Sequence, residues 1–201
     1  MSFRIENKYR VNLNKISLLY DWIKKNDGKK IFPDRIVNSI YFDNNKLSSY
    51  NNSIEGVVPR KKIRFRYYNS ELKDNKFVMV EKKINSIEGR FKTSEKLSNF
   101  KTFLNNGYFD NEYGLCFPKT LVKYKREYFN LFKLRVTFDT NIKYCLYSKI
   151  NKKIKFEDED SIIFEVKSNQ SFENYINENF HLEKIRFSKY CNSIEKFKID
   201  Y

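Results

Sequence analysis

One nine-residue run constrains the fold of this chain more than any other: Pro59 to Tyr67, P-R-K-K-I-R-F-R-Y. Side chains alternate across a β-strand, so Arg60, Lys62, Arg64 and Arg66 fall on one face and Lys61, Ile63, Phe65 and Tyr67 on the other. Pro59 suits the start of a strand, and Ile, Phe and Tyr suit a half-buried interior. A row of four cations backed by a mostly apolar face makes physical sense when the apolar side packs on the fold and the cationic side looks at a polyanion.

The pattern recurs. Arg4, Glu6, Lys8 and Arg10 share one parity, while Phe3, Ile5, Tyr9 and Val11 share the other. Glu81 and Lys83 align with Phe77 and Met79. Arg135, Thr137 and Asp139 oppose Leu134, Val136 and Phe138. Glu165 and Lys167 align with Ile163 and oppose Ile162, Phe164 and Val166. Each strand alone reads as an ordinary sheet with one wet face. Together they favour a shared charged surface, because the charges are mostly positive and largely Arg.

The rest of the composition fits this reading. A chain of 201 residues buries a sizeable core without disulfides, and 17% aromatic and 40% hydrophobic residues exclude a disordered basic tail. A net charge of +15 calls for an anionic partner: nucleic acid, a membrane surface or a phosphorylated molecule. Cys116, Cys145 and Cys191 form no C-x-x-C, and their odd number suits a reducing compartment. The single histidine, His181, argues against His-based catalysis and His-based metal binding. With no signal peptide or membrane-length apolar run, the expected location is the cytoplasm.

Along the chain, strands are expected at 2–13, 36–43, 60–69, 76–84, 121–130, 132–139, 142–147 and 161–168. Asn14 is expected to cap a helix through Ile16, Leu19, Tyr20 and Ile23 that ends at Gly28. A short helix is expected over 44–54. Ser94 is expected to cap another with Leu97, Phe100 and Leu104. Residues 105–119 read as a loop, 171–180 as a helix, and Ser188 as the cap of a last helix carrying Tyr190, Ile194 and Phe197. Hairpin-like neighbours predominate over β-α-β alternation, which makes an α+β antiparallel sheet in a single domain over 1–201 the expected architecture.

Cations two apart on a strand face lie about 7 Å from each other and repel by about 2 kcal/mol at an effective dielectric of about 20. An open face screens this, whereas an enclosed one does not. Eight or so enclosed cations would oppose a folding stability of about 5–15 kcal/mol unless anions, acidic neighbours such as Glu6, Glu81 and Glu165, or water offset them. A linear phosphate chain suits such a site, being narrow, densely charged and made of acceptors.

The segments R-I-E-N-K-Y (4–9), S-I-Y-F-D-N (39–44), R-K-K-I-R-F-R-Y-Y (60–68), V-E-K-K (80–83), V-K-Y-K-R-E-Y-F (122–129), L-R-V-T-F-D-T-N-I (134–142), I-F-E-V-K (163–167) and R-F-S-K-Y (186–190) carry a resemblance. In this order the chain resembles the VTC-type polyphosphate polymerase domain of the triphosphate tunnel (CYTH-like) superfamily. The resemblance implies an antiparallel β-barrel, the triphosphate tunnel, with flanking α-helices. It also implies transfer of the γ-phosphate of ATP to a growing polyphosphate chain with Mn2+ or Mg2+.

By position, Arg64, Arg66, Arg126, Arg135 and Lys189 match the catalytic cations. Lys8, Arg60, Lys62, Lys83 and Lys92 are the expected substrate-binding residues, with Arg90 a rival to Lys92. Glu165 matches the acidic metal ligand, and Glu81 or Glu6 would assist. Arg126 shares its parity with Val122 and Tyr124, which a bulge would reconcile. Arg4 stands where hydrolytic relatives carry a first Glu, which counts against a metal-dependent triphosphatase. That activity, a non-catalytic polyphosphate or inositol-phosphate binder and an RNA-binding module are the alternatives. No RNP-like or KH motif is present, and no nucleic-acid partner is expected. Any coupling to a membrane is expected through a separate membrane-protein partner.

Overall fold

The computed structural model of the protein describes residues 5–69, 71–132, 134–147 and 156–197. Ten strands and five α-helices are found among them: β1 Ile5–Val11, α1 Leu13–Lys25, β2 Lys29–Asp43, α2 Ser48–Glu55, β3 Arg60–Tyr68, β4 Val78–Ser86, β5 Gly89–Leu97, α3 Phe100–Asn106, β6 Tyr108–Asp110, β7 Gly114–Leu131, β8 Leu134–Leu146, β9 Glu157–Glu159, β10 Ile162–Ser168, α4 Glu173–Phe180 and α5 Lys189–Phe197. The hydrogen-bonded strand order is β1-β10-β8-β7-β2-β3-β4-β5, with β6 on β7 and β9 on β8. The class is α+β with an antiparallel sheet, as expected. Among the described residues no helix is long and apolar enough to cross a membrane.

The chain divides into two compact units. The first comprises Met1–Ile36, Tyr124–Ile142 and Asp158–Phe187, and the second comprises Val37–Lys123, Lys143–Glu157 and Ser188–Tyr201. In the first, the apolar parity of β1, β8 and β10 (Tyr9, Val11, Leu134, Val136, Phe138, Phe164 and Val166) packs under Leu19 and Ile23 of α1 and Ile176 and Phe180 of α4. Gly28 closes α1 as expected: its N–H reaches the Ile23 carbonyl at 2.8 Å, and any side chain there would collide with Ile23. In the second, Ile40, Phe42, Ile63, Phe65, Tyr67, Val78 and Val80 form the core with Phe100 and Leu104 of α3.

Several expectations need correction. Helix α1 begins at Leu13 after an extended Asn12, so Asn14 lies inside it. Ser94 caps nothing: it lies within β5, opposite Glu81. Strand β5 is an exposed polar edge, so the apolar positions 97, 100 and 104 read as a helix that in fact starts at Phe100. Residues 105–119 hold β6 and the start of β7, and the two strands expected at 132–139 and 142–147 are one, β8. Arg4 lies outside the described residues.

Candidate functional site

Each unit presents a charged face opposite its core. In the second unit, register sets the face four strands wide: Tyr41 pairs Arg64, Arg64 pairs Glu81 and Glu81 pairs Ser94. One step along, Lys62, Lys83 and Lys92 stand in one row across β3, β4 and β5. Like charges directly opposite on neighbouring strands oppose folding, so this row is costly unless anions meet it. Lys61 points to the other face, where it bonds Asp110 at 2.8 Å and Glu112 at 2.9 Å. The parity read from the sequence therefore holds along β3.

Glu81 organises this face. Its Oε2 accepts Arg64 Nε at 2.7 Å and lies 3.2 Å from Arg66 Nη1, while its Oε1 meets Lys92. Burial pushes the Glu81 carboxyl up, but the charges of Arg64, Arg66 and Lys92 outweigh that and hold it at about 2. Arg64 Nη1 also donates to Tyr41 Oη at 3.1 Å. Burial raises the Tyr41 phenol, and the neighbouring Arg64, Arg66 and Lys189 bring it below its ordinary value. Tyr41 stacks on Tyr190 of α5 at 5.2 Å, and Tyr190 Oη donates to Asp43 at 2.6 Å. Asp43 also accepts from the backbone N–H groups of Asn44, Ser49 and Tyr50, which ties α2 and α5 to the inner end of β2. Ser188 works at the start of α5: its Oγ accepts the Cys191 N–H at 3.3 Å, the cap expected from the sequence, and Lys62 Nζ at 2.8 Å. Lys189, the next residue, is buried.

In the first unit, Lys8, Glu165 and Thr137 are register partners across β1, β10 and β8, as are Glu6, Lys167 and Arg135. Lys167 Nζ lies 3.1 Å from Glu6 and 2.9 Å from Glu165, and Lys8 Nζ lies 3.6 Å from Glu6 while donating to the Phe187 carbonyl at 2.9 Å. Arg126 holds Asp139 with two N–H groups, Nη2 to Oδ2 at 2.6 Å, and its Nη2 is 3.9 Å from Glu165. Burial alone would raise the Glu165 carboxyl; the charges of Lys167, Arg126 and Lys8 hold it well below the usual carboxylate range. Among the described residues, Arg135 Nε and Thr137 Oγ1 are buried with no hydrogen-bond partner. Such atoms each cost about 1–3 kcal/mol, and they face the anionic demand of the site with donors in hand.

The sequence matches the VTC domain family over residues 3–113 and 98–198, which together span nearly the whole chain. This chain belongs to the VTC domain family. No curated protein sequence matches it significantly. Two solved structures share its fold at low identity. One is a candidate adenylate cyclase from Vibrio parahaemolyticus: TM-score 0.57, 12% identity, covering 96% of this chain and 98% of that one. The other is a candidate adenylyl cyclase from Hippeastrum with a dominant triphosphatase activity: TM-score 0.58, 12% identity, covering 98% and 96%. This VTC domain therefore shares its α+β antiparallel fold with both structures. Among the described residues the hydrogen-bonded strand path runs open from β1 to β5 and does not close into the barrel that the resemblance implied.

The residues expected to act fall into two sets. Arg60, Lys62, Arg64, Arg66, Glu81, Lys83, Lys92 and Lys189 belong to the second unit; Glu6, Lys8, Arg126, Arg135 and Glu165 belong to the first. Arg90 shares the parity of Lys92 but pairs Asn85, whereas Lys92 reaches Glu81. Phe129 and Leu131 of β7 lie on the core of the first unit, at positions of the parity opposite to Arg126. Thr120, on the parity of Val122, Tyr124 and Arg126, bonds Ser193 of α5 at 2.7 Å. Val122 and Tyr124, on the same parity, are buried. Tyr41, Asp43, Asp139, Thr137 and Lys167 are functional candidates missed as site residues. Each could have been found by extending the strand parity across the register.

The carboxylates divide on metal fit. Glu81 meets Arg64, Arg66 and Lys92 with its two oxygens. Among the described residues no group of three His, Cys, Asp or Glu could hold a metal by itself. Glu6 and Glu165, joined through one ammonium, fit the Mg2+ and Mn2+ habit of one or two carboxylates completed by phosphate oxygens and water.

Proposed function

We propose that this VTC domain is a polyphosphate polymerase that transfers the γ-phosphate of ATP to the end of a polyphosphate chain. The observation that supports it best is the Arg64–Arg66 pair held in place by Glu81, beside the in-register row Lys62, Lys83 and Lys92. Phosphoryl transfer asks a protein for in-line positioning and cancellation of charge, and little else. Arginines fixed by a buried carboxylate and a tyrosine are donors that need no reorganisation when charge develops on phosphate oxygens.

In this reading a terminal phosphate oxygen of the chain attacks the γ-phosphorus. A P–O bond to the chain forms, the bond to the β-phosphate oxygen breaks, and ADP leaves. Arg64, Arg66 and Lys189 hold phosphates in the second unit, with Arg60, Lys62, Lys83 and Lys92 along the same face. Arg126, Arg135 and Lys8 hold phosphates in the first. A divalent cation, when bound by Glu165 and Glu6, cancels charge on phosphate oxygens. Glu81 is assigned to anchoring cations.

Arg64→Ala and Glu165→Gln test this directly. Each is expected to lower ATP turnover at least about 100-fold, the scale of losing one oriented donor, while circular dichroism shows a folded chain. Full turnover in both variants overturns the assignment.

A further inference from the structure

Glu6 and Glu165 both meet the ammonium of Lys167. Lys167 Nζ sits 3.1 Å from Glu6 Oε2 and 2.9 Å from Glu165 Oε1. Glu6 faces Lys167 across β1 and β10, and Glu165 is two residues away on the strand of Lys167. A third oxygen shares their face. Thr137, the cross-strand neighbour of Glu165 on β8, is 2% exposed, and its Oγ1 has no hydrogen-bond partner among the described residues. Cross-strand partners place their Cβ atoms about 5 Å apart on one face, so this hydroxyl neighbours the carboxylate without bonding to it. Two carboxylates and a neutral hydroxyl are oxygen donors of the kind a hard divalent cation takes, with its remaining positions left to water and phosphate. Among the described residues this face also carries Lys8, 3.6 Å from Glu6, Arg126, 3.9 Å from Glu165 and committed to Asp139, and Arg135, the register partner of Lys167.

We propose that Lys167 is a built-in stand-in for the divalent cation. Its ammonium holds Glu6 and Glu165 together in the absence of metal, and a metal ion entering between them must displace it. The ammonium and a divalent ion are both drawn to the same two carboxylates and repel each other at that range, so the two compete for one place. The flexible four-carbon stem lets the displaced charge move, as a rigid guanidinium fork would not. The released ammonium then serves the incoming phosphate chain. Lys167 is thereby a positioning residue that couples metal entry to phosphate binding. The purpose given to the metal rests on the phosphoryl-transfer reading; the competition itself does not.

The test uses the whole chain and metal alone, with no nucleotide. Mn2+ affinity is read from the free-ion electron paramagnetic resonance signal for the wild type and for Lys167→Met, which keeps the stem and removes the charge. The variant is expected to bind Mn2+ at least about tenfold more tightly, because both a competitor and a unit charge at contact distance are gone. Lys167→Met combined with Glu6→Gln should lose that gain. In case Lys167→Met does not fold, the wild type is titrated with Mg2+ while lysine ammonium resonances are followed by nuclear magnetic resonance. The Lys167 signal is expected to shift and lose its exchange protection. Unchanged or weaker Mn2+ binding in a folded variant, or a Lys167 signal indifferent to Mg2+, overturns the proposal. Polymerase activity can survive that outcome, and metal competition can be present in a chain that makes no polymer, so the two readings fail separately.

Discussion

Removing the charge of Glu81 should unbalance the face it organises. The carboxylate is 4% exposed and meets Arg64, Arg66 and Lys92. Burial opposes its charge, and the three cations more than reverse this, bringing the group from 4.5 to about 2. A carboxyl depressed in the folded state contributes stability that is fully present above its unfolded value and is lost as pH falls through its folded value. The relevant window here runs from about 4.5 down to about 2, and the contribution at neutral pH is about 3 kcal/mol. Glu81→Gln keeps the shape and removes that contribution, leaving two arginines and a lysine to repel one another. Urea unfolding of both proteins is expected to show a deficit of about 3 kcal/mol at pH 7 that shrinks steadily below pH 4.5. Tripolyphosphate should restore more stability to the variant than to the wild type, because it supplies the missing negative charge. A variant as stable as the wild type at pH 7, or a deficit that does not change with pH, would refute the reasoning.

Other consequences follow from the same geometry. Tyr190→Phe deletes the hydroxyl that donates to Asp43 at 2.6 Å and should cost about 1.5–3 kcal/mol in denaturant unfolding. Tyr41→Phe leaves the stack on Tyr190 but deletes the hydroxyl that orients Arg64, and should weaken tripolyphosphate binding in calorimetry with little change in melting temperature. Thr137→Val removes a buried, unpartnered hydroxyl at nearly constant shape, so it should raise stability by up to about 1–3 kcal/mol while weakening metal or phosphate binding.

The cationic faces were legible in the sequence because strand parity is a rigid rule. Arg64 and Arg66 opposite Phe65 and Tyr67 could be sorted with no knowledge of neighbours, and the structure buries those aromatics in a core. Strand β5 was not legible. It is an edge with little to bury, so it carries no hydrophobic period, and Ser94 imitated a helix cap. The parity of Arg126 misled for a different reason: Thr120, Val122 and Tyr124 share it and are buried, and Thr120 meets Ser193, far along the sequence. The partners of the predicted cations were hidden for the same cause. Glu81 meeting Lys92, or Tyr190 reaching Asp43, depends on register and on long-range packing that a single strand does not encode. The family resemblance pointed to Lys189, which parity alone would have left as an ordinary helix start and which the structure buries.

The most direct test of the account is the product formed from ATP and Mn2+ by the purified chain, resolved by size alongside Arg64→Ala. The account expects long-chain polyphosphate from the wild type and none from the variant. Free phosphate without polymer, as from a triphosphatase, or polymer formed equally by Arg64→Ala, would contradict it.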